Sequence, residues 1–211
     1  MVLSIRATAH MIEKANTPVV ILSGGLSSRF GSNKALAKLD GERLVDQLIE
    51  LLSHQTSAPI VINAPDETAY GLPHNHFIAD QFGDRLGPLA GIHAALVWAE
   101  QHGYPSVCTT PVDTPFIPDN FVSTMTSVQG PVIASFAGKY HPIHGVWPVS
   151  LKPSLESGIA TGKRAVMSWV DTLDATIIDF AEYCERDPFI NINRPTDIAL
   201  IEQQSEPDPL G

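Results

Sequence analysis

Thirteen consecutive residues, Leu22-Ser23-Gly24-Gly25-Leu26-Ser27-Ser28-Arg29-Phe30-Gly31-Ser32-Asn33-Lys34, bring together three glycines, several serine hydroxyls and two fixed cations. Glycines allow close approach of the backbone to a ligand and tolerate positive φ. Successive backbone N–H groups in such a loop form an anion-binding concavity. Arg29 can then bridge phosphate oxygens as a fork and Lys34 as a point charge. The chemistry this combination suits is the holding of a polyphosphate. The spacing departs from G-x-x-x-x-G-K-[ST], since Lys34 follows Asn33 and precedes Ala35. It departs equally from G-x-G-x-x-G, which Gly24, Gly25 and Gly31 do not supply. A glycine-rich surface turn is the competing reading of the loop by itself.

Asp113 lies in the stiff run Thr110-Pro111-Val112-Asp113-Thr114-Pro115-Phe116-Ile117-Pro118. A lone carboxylate near a phosphate loop suits Mg²⁺, which takes one or two carboxylates together with waters and substrate phosphates. The alternative is a helix-capping Asp, although Pro118-Asp119 already marks the next helix start. Asp80 opens a glycine-containing segment that ends in Gly87-Pro88-Leu89-Ala90-Gly91, so a loop here can close over a nucleotide or simply lead into a helix. Asn63 offers both donor and acceptor, which suits a base or ribose edge as well as an ordinary turn. His74 with His76, and His141 with His144, have metal-like spacing, but no Cys, Asp or Glu completes a zinc set. Surface or hydrogen-bonding roles are the expectation for them. No Ser-His-Asp set or nucleophile elbow is present.

These residues need a scaffold. The chain has 211 residues, 44% hydrophobic and 17% charged, as expected of one globular domain with a sizeable core. The division expected is an N-terminal extension over 1–17, a single domain over 18–204 and a tail over 205–211. No run of about 18 apolar residues suggests a membrane span, and the first residues make a poor signal peptide. Two cysteines, Cys108 and Cys184, fit a reducing cytoplasm, with Cys108 expected as a small buried hydrophobe. A net charge of −10 argues against nucleic-acid binding and would repel a polyphosphate unless cations were focused locally. Arg29, Lys34 and Lys38 place three of the thirteen Lys and Arg residues within ten positions.

Apolar runs predict strands over 19–22, 59–63, 76–80, 106–113, 131–136, 143–147 and 175–180. Helical patterns fall over 44–52, 88–102, 118–128, 164–173 and 195–203, with Met167 and Trp169 as core. Strands alternating with helices imply an α/β fold: three layers, Rossmann-like, with a mostly parallel central sheet. Ligands of such sheets sit outside the carboxyl ends of the strands. Ser23-Gly24, Asn63, Asp80 and Asp113 all fall there, so the fold predicts that they converge.

With these motifs in order, the chain resembles the molybdenum cofactor guanylyltransferases, a family of Rossmann-like nucleotidyltransferases. The resemblance runs from about Val19 to Ile201. It rests on Leu22-Ser23-Gly24-Gly25-x₃-Arg29-x-Gly31-x₂-Lys34, Asn63-Ala64, Asp80 with Gly87-Pro88-Leu89-Ala90-Gly91, Asp113-Thr114-Pro115, His141-Pro142 and Asn191-Ile192-Asn193-x-Pro195. It implies transfer of GMP from GTP to the terminal phosphate of molybdopterin, with release of pyrophosphate. It also implies GTP contacts from Leu22, Ser23, Gly24, Gly25, Lys34, Asn63, Asp80 and Asp113, with Mg²⁺ on Asp113. Arg29, Lys34 and Asp113 would be catalytic, and Arg164, Asn191 and Asn193 would face the pterin. In this family the Gly24-Gly25 pair goes with guanine, whereas related cytidylyltransferases usually carry Ala-Gly. Phe30 and Asn33 depart from a frequent Met and Asp, and neither change removes a phosphate ligand. Other molybdenum cofactor biosynthesis proteins and acceptor molybdoenzymes or their chaperones are the implied protein partners. A cytidylyltransferase acting on the same cofactor, a non-catalytic GTP-binding chaperone and a protein binding another phosphosugar nucleotide are the alternatives.

Overall fold

The computed structural model describes residues 14–24, 34–65, 68–73, 77–82, 86–192 and 197. Its centre is strand β1 (Val19–Leu22), buried along its whole length. Parallel partners flank it on both sides, β4 (Ile60–Asn63) and β6 (Ser106–Pro111). A strand enclosed on both faces reads in sequence as an unbroken apolar run, which is why β1 and β4 are visible there. The described sheet has seven strands in the order β5-β4-β1-β6-β8-β7-β9, completed by β5 (Phe77–Ile78), β7 (Val132–Phe136), β8 (Lys139–Pro148) and β9 (Thr176–Asp179). Only β8 among them runs against its neighbours, pairing antiparallel with β6 and β7. The mostly parallel three-layer α/β fold expected from the sequence is the fold observed.

Alternation along β1 divides the core. Val19 and Ile21 face Val45, Leu48 and Leu52 of α1 (Leu44–Ser53) and Phe121, Val122 and Met125 of α3 (Phe121–Met125). Val20 and Leu22 face Leu89, Ile92 and Leu96 of α2 (Pro88–Gln101), and the same layer takes in Leu155, Ile159 and Trp169. Those last residues lie on α4 (Lys152–Ala160) and α5 (Val166–Val170). Trp169 is fully buried, while Met167 is only half-buried against this layer.

Several boundaries differ from the expected ones. The helix expected over 118–128 is confined to Phe121–Met125, and the one over 164–173 to Val166–Val170. The strand expected over 143–147 extends to Lys139–Pro148 and shifts register between Ile133 and Ala134, opposite Pro142. A proline has no N–H for the ladder, so such a shift accommodates it. Helix α4 was not anticipated. A hairpin of β2 (Lys38–Leu39) and β3 (Glu42–Arg43) was also missed, although Asp40-Gly41, with φ of 53° and 84°, is a strong two-residue turn signal. The helix expected over 195–203 lies outside the described residues except for Asp197, which is helical.

His141 and His144 are buried, not at the surface. His144 Nδ1 lies 3.1 Å from Thr110 Oγ1, so its hydrogen-bonding role stands, and both rings pack on Phe189. Burial pushes the His144 imidazole well below the ordinary histidine range, helped by neighbouring His141, and desolvation also lowers His141. Cys108 and Cys184 are free thiols, and burial raises the Cys108 thiol to about 12.

These shifts bound the pH range of greatest stability. Below about pH 6.5 the unfolded chain takes up a proton that native His144 refuses, so stability falls as pH drops, by up to ~1.4 kcal/mol per unit for one group. Above about pH 9 unfolded Cys108 loses a proton that the native thiol retains up to about 12, so stability falls again. Thermal midpoints from pH 5 to 10 will show a plateau between these limits. Cys108→Ala will flatten the alkaline side and His144→Gln the acid side; unchanged slopes would contradict the assignment.

Candidate functional site

Backbone hydrogen bonds extend the central ladder past the strand ends. Ser23 N–H donates to Asn63 O at 2.9 Å, and Val112 N–H donates to Leu22 O at 3.1 Å. The residues following β1, β4 and β6 are thereby locked side by side, and two polar pairs form above them.

The first pair is Asn63 with Asp80. Asn63 is 2% exposed, and its Nδ2 donates to Asp80 Oδ1 at 2.8 Å and to Ile78 O at 3.4 Å. Gly24 lies over this pair: a Cβ placed on it would stand 3.5 Å from Asn63 Oδ1 and 3.9 Å from Asp80 Oδ2. Gly91, in the first turns of α2, comes closer still. Its Cβ would stand 2.7 Å from Asn63 Oδ1 and 3.0 Å from Leu22 Cδ2. The absent side chain is what lets α2 lie against Asn63. Further along α2, buried His93 donates from Nε2 to Glu156 Oε1 of α4 at 3.0 Å. Its ring meets Phe82, just beyond Asp80, edge-on at 4.6 Å.

The second pair is Lys34 with Asp113. Lys34 Nζ donates to Asp113 Oδ2 at 2.7 Å, with the two side chains 16% and 18% exposed. The residue at the N-terminal boundary of α3 is Asn120, not Asp113, so Asp113 is not spent as a cap. Its Oδ1 is buried and has no hydrogen-bond partner among the described residues. An anionic oxygen left without a donor suits a cation. Among the described residues no cluster of three or more His, Cys, Asp or Glu could hold a metal by itself. A single carboxylate nevertheless meets the needs of Mg²⁺ when a substrate's phosphates supply other ligands.

Leu22, Ser23, Gly24, Asn63, Asp80, Lys34 and Asp113 are therefore brought to one end of the sheet. Asn191 is exposed and precedes Ile192, whose N–H donates to Asp113 O at 2.8 Å, so it stands beside the same end. Arg164 is exposed in the turn after α4 and donates to Lys163 O at 2.8 Å; no described contact links it to either pair. Gly25, Arg29 and Asn193 lie outside the described residues, as do His74 and His76. Tyr70 and Gly91 are the residues that site reasoning from sequence missed. Tyr70 carries no motif, and Gly91 was visible only as part of a turn motif.

Residues 19–176 match the family model described as the MobA-like NTP transferase domain. The chain is 38% identical over 209 residues to a molybdenum cofactor guanylyltransferase of Rhizobium leguminosarum, covering 94% of this chain and 98% of that one. It is 34% identical over 197 residues to the enzyme of that name from Yersinia pestis, covering 90% and 96%. Among solved structures, molybdopterin-guanine dinucleotide biosynthesis protein A from Archaeoglobus fulgidus superposes with a TM-score of 0.71 at 24% identity, covering 89% and 98%. A 2-C-methyl-D-erythritol 4-phosphate cytidylyltransferase from Thermus thermophilus shares the fold at a TM-score of 0.61 and 12% identity, covering 88% and 97%.

The tight approach at Gly91 has a measurable consequence. Gly91→Ala must displace Asn63, a short side chain already tied to Asp80 and Ile78 O, and overpacking of this kind costs about 1–3 kcal/mol. Chemical denaturation will register that loss, and the Asn63 side-chain amide resonances will shift. A variant as stable as wild type with unmoved resonances would show that the contact is slack.

Proposed function

As the chain belongs to the MobA-like NTP transferase family, we propose that it transfers GMP from GTP to the terminal phosphate of molybdopterin and releases pyrophosphate. It is a nucleotidyltransferase; the choice of nucleotide, acceptor and metal is what the proposal adds. The observation that carries the proposal is the Lys34–Asp113 pair, whose Asp113 Oδ1 has no hydrogen-bond partner among the described residues, with β1 between it and the Asn63–Asp80 pair.

A terminal phosphate oxygen of the acceptor forms a bond to the α-phosphorus of GTP. The bond from that phosphorus to the bridging oxygen breaks, and the electron pair leaves on pyrophosphate. A phosphate monoester already carries about −1.5 to −2 charges at neutral pH, so no strong general base is needed. The difficulty is bringing two anions together, which positioning and fixed cations overcome. Lys34, with Arg29 from the glycine loop, neutralises charge on the departing pyrophosphate. Asn63 Oδ1 and the Asp80 carboxylate would accept hydrogen bonds from the base and ribose, and Leu22, Ser23, Gly24 and Gly25 would contact the nucleotide. Asp113 would hold Mg²⁺, which would screen and orient the triphosphate. Arg164, Asn191 and Asn193 would bind the pterin. Molybdenum cofactor proteins that hand over molybdopterin or take its product, in a cytoplasmic setting, complete the reading.

Pyrophosphate release with GTP and with CTP, each with and without molybdopterin and Mg²⁺, tests this. Release with GTP alone, requiring both additions, is expected. Release with CTP would make the chain a cytidylyltransferase, and GTP binding without release would make it a carrier. Asp113→Ala should lower turnover by about 10²-fold or more; turnover near wild type would remove Asp113 from the chemistry.

A further inference from the structure

Tyr70 lies in the connection between β4 and β5 and is 1% exposed. Its ring packs edge-on against Phe77 of β5, with centroids 5.2 Å apart. Its carbonyl accepts from Arg43 Nη1 at 2.6 Å, and Arg43 is itself held in a two-pronged ion pair by Asp46 of α1. Anchored at ring and backbone, the phenol oxygen stands 2.5 Å from Ser23 Oγ. Ser23 is the first residue after β1, with its N–H fixed by Asn63 O at 2.9 Å. The contact joins residues 47 positions apart and lies where the chain turns into the glycine loop.

A phenol is the stronger donor of the two hydroxyl types, and a serine oxygen can accept while still donating its own proton. We propose that Tyr70 is a positioning residue for nucleotide binding. Its buried hydroxyl donates to Ser23 Oγ, and the Ser23 proton is thereby directed at an acceptor atom of the nucleotide. Tyr70 touches no substrate and acts wholly through Ser23. The inference rests on the nucleotidyltransferase reading of the site and adds a residue to it. A rotor fixed before the ligand arrives loses less freedom on binding, which favours affinity over the chemical step.

The test is a double-mutant cycle of Tyr70→Phe, Ser23→Ala and the double variant in the full-length protein. GTP with Mg²⁺ is the probe, read as Kd by calorimetry and as KM and kcat in pyrophosphate release. Tyr70→Phe keeps the buried ring and removes the hydroxyl that meets Ser23 Oγ, so Kd and KM should rise about threefold to tenfold. The value of kcat should stay at the wild-type level, and the thermal midpoint measured without nucleotide should fall by no more than the few degrees that a lost hydrogen bond accounts for. In the Ser23→Ala background the Tyr70 change should add nothing further. A Tyr70→Phe variant that matches wild type in Kd and KM overturns the inference while leaving the guanylyl transfer reading intact. So do additive effects, or a loss confined to kcat or to thermal stability. If the wild-type protein binds no GTP, that reading falls and takes this inference with it.

Discussion

The ion pair between Lys34 and Asp113 is the constraint around which this end of the molecule is organised. It joins side chains 79 positions apart and mostly shielded from water, in a chain whose net charge is −10. Shielded charges are expensive unless paired, and removing one partner strands the other. The Lys34 ammonium and the Asp113 carboxylate offset each other's charge. The pairing is incomplete on one side, because the buried Asp113 Oδ1 has no hydrogen-bond partner among the described residues. A ligand that brings both an anion for Lys34 and a cation for Asp113 replaces one balanced pair by two. An isolated phosphate or an isolated metal ion would leave one partner uncompensated.

The backbone makes this possible. Asp113 follows β6, and its carbonyl is tied to Ile192 N–H, while Ile192 is buried against Leu39 and Leu44 beside the β2–β3 hairpin. The segment before it is held by Phe189, fully buried between His141 and His144, and by Asp187, which accepts from Phe189 N–H and from Lys139 Nζ. The buried histidines therefore serve as packing surface for the strap that fixes Asp113 and sets Asn191 beside it. The His144 ring is fully enclosed, so charging it there would require water or a counter-ion, whereas His141 Nε2 lies 3.5 Å from the Asp187 carboxylate.

What could be read in the sequence follows from how local each signal is. Strands β1 and β4 are apolar runs and β6 holds a shorter apolar-leaning stretch, and the polar residues closing them announce the site because parallel sheets expose their carboxyl ends. Helix α4 was not legible: Pro153 and Gly158 interrupt its pattern, and it is helical because Leu155 and Ile159 pack in the layer of Trp169. The β2–β3 strands are too short for periodicity, although Asp40-Gly41 marked their turn. Gly91 carried a motif but no reason for it. The reason is a distance to Asn63 from another element, which spacing along the chain does not contain. Tyr70 carried neither, since its partner Ser23 belongs to a different loop.

The two pairs divide the site by chemistry. Asn63 with Asp80 is a hydrogen-bonding surface, backed by the tight contact of α2 at Gly91 and by Phe82 against His93. Lys34 with Asp113 is a surface of compensated charge. Discrimination between bases depends on donors and acceptors held in fixed directions, because an unmatched buried polar group costs more than a matched one gains. Charge neutralisation tolerates more movement, since it varies slowly with distance. The rigid supports follow that division. Glycine contact, aromatic edge and hydroxyl clamp gather around Ser23, Asn63 and Asp80, while Lys34 reaches Asp113 on a long side chain. On the proposed reading, the half of the site that would choose its ligand is the half with these rigid supports.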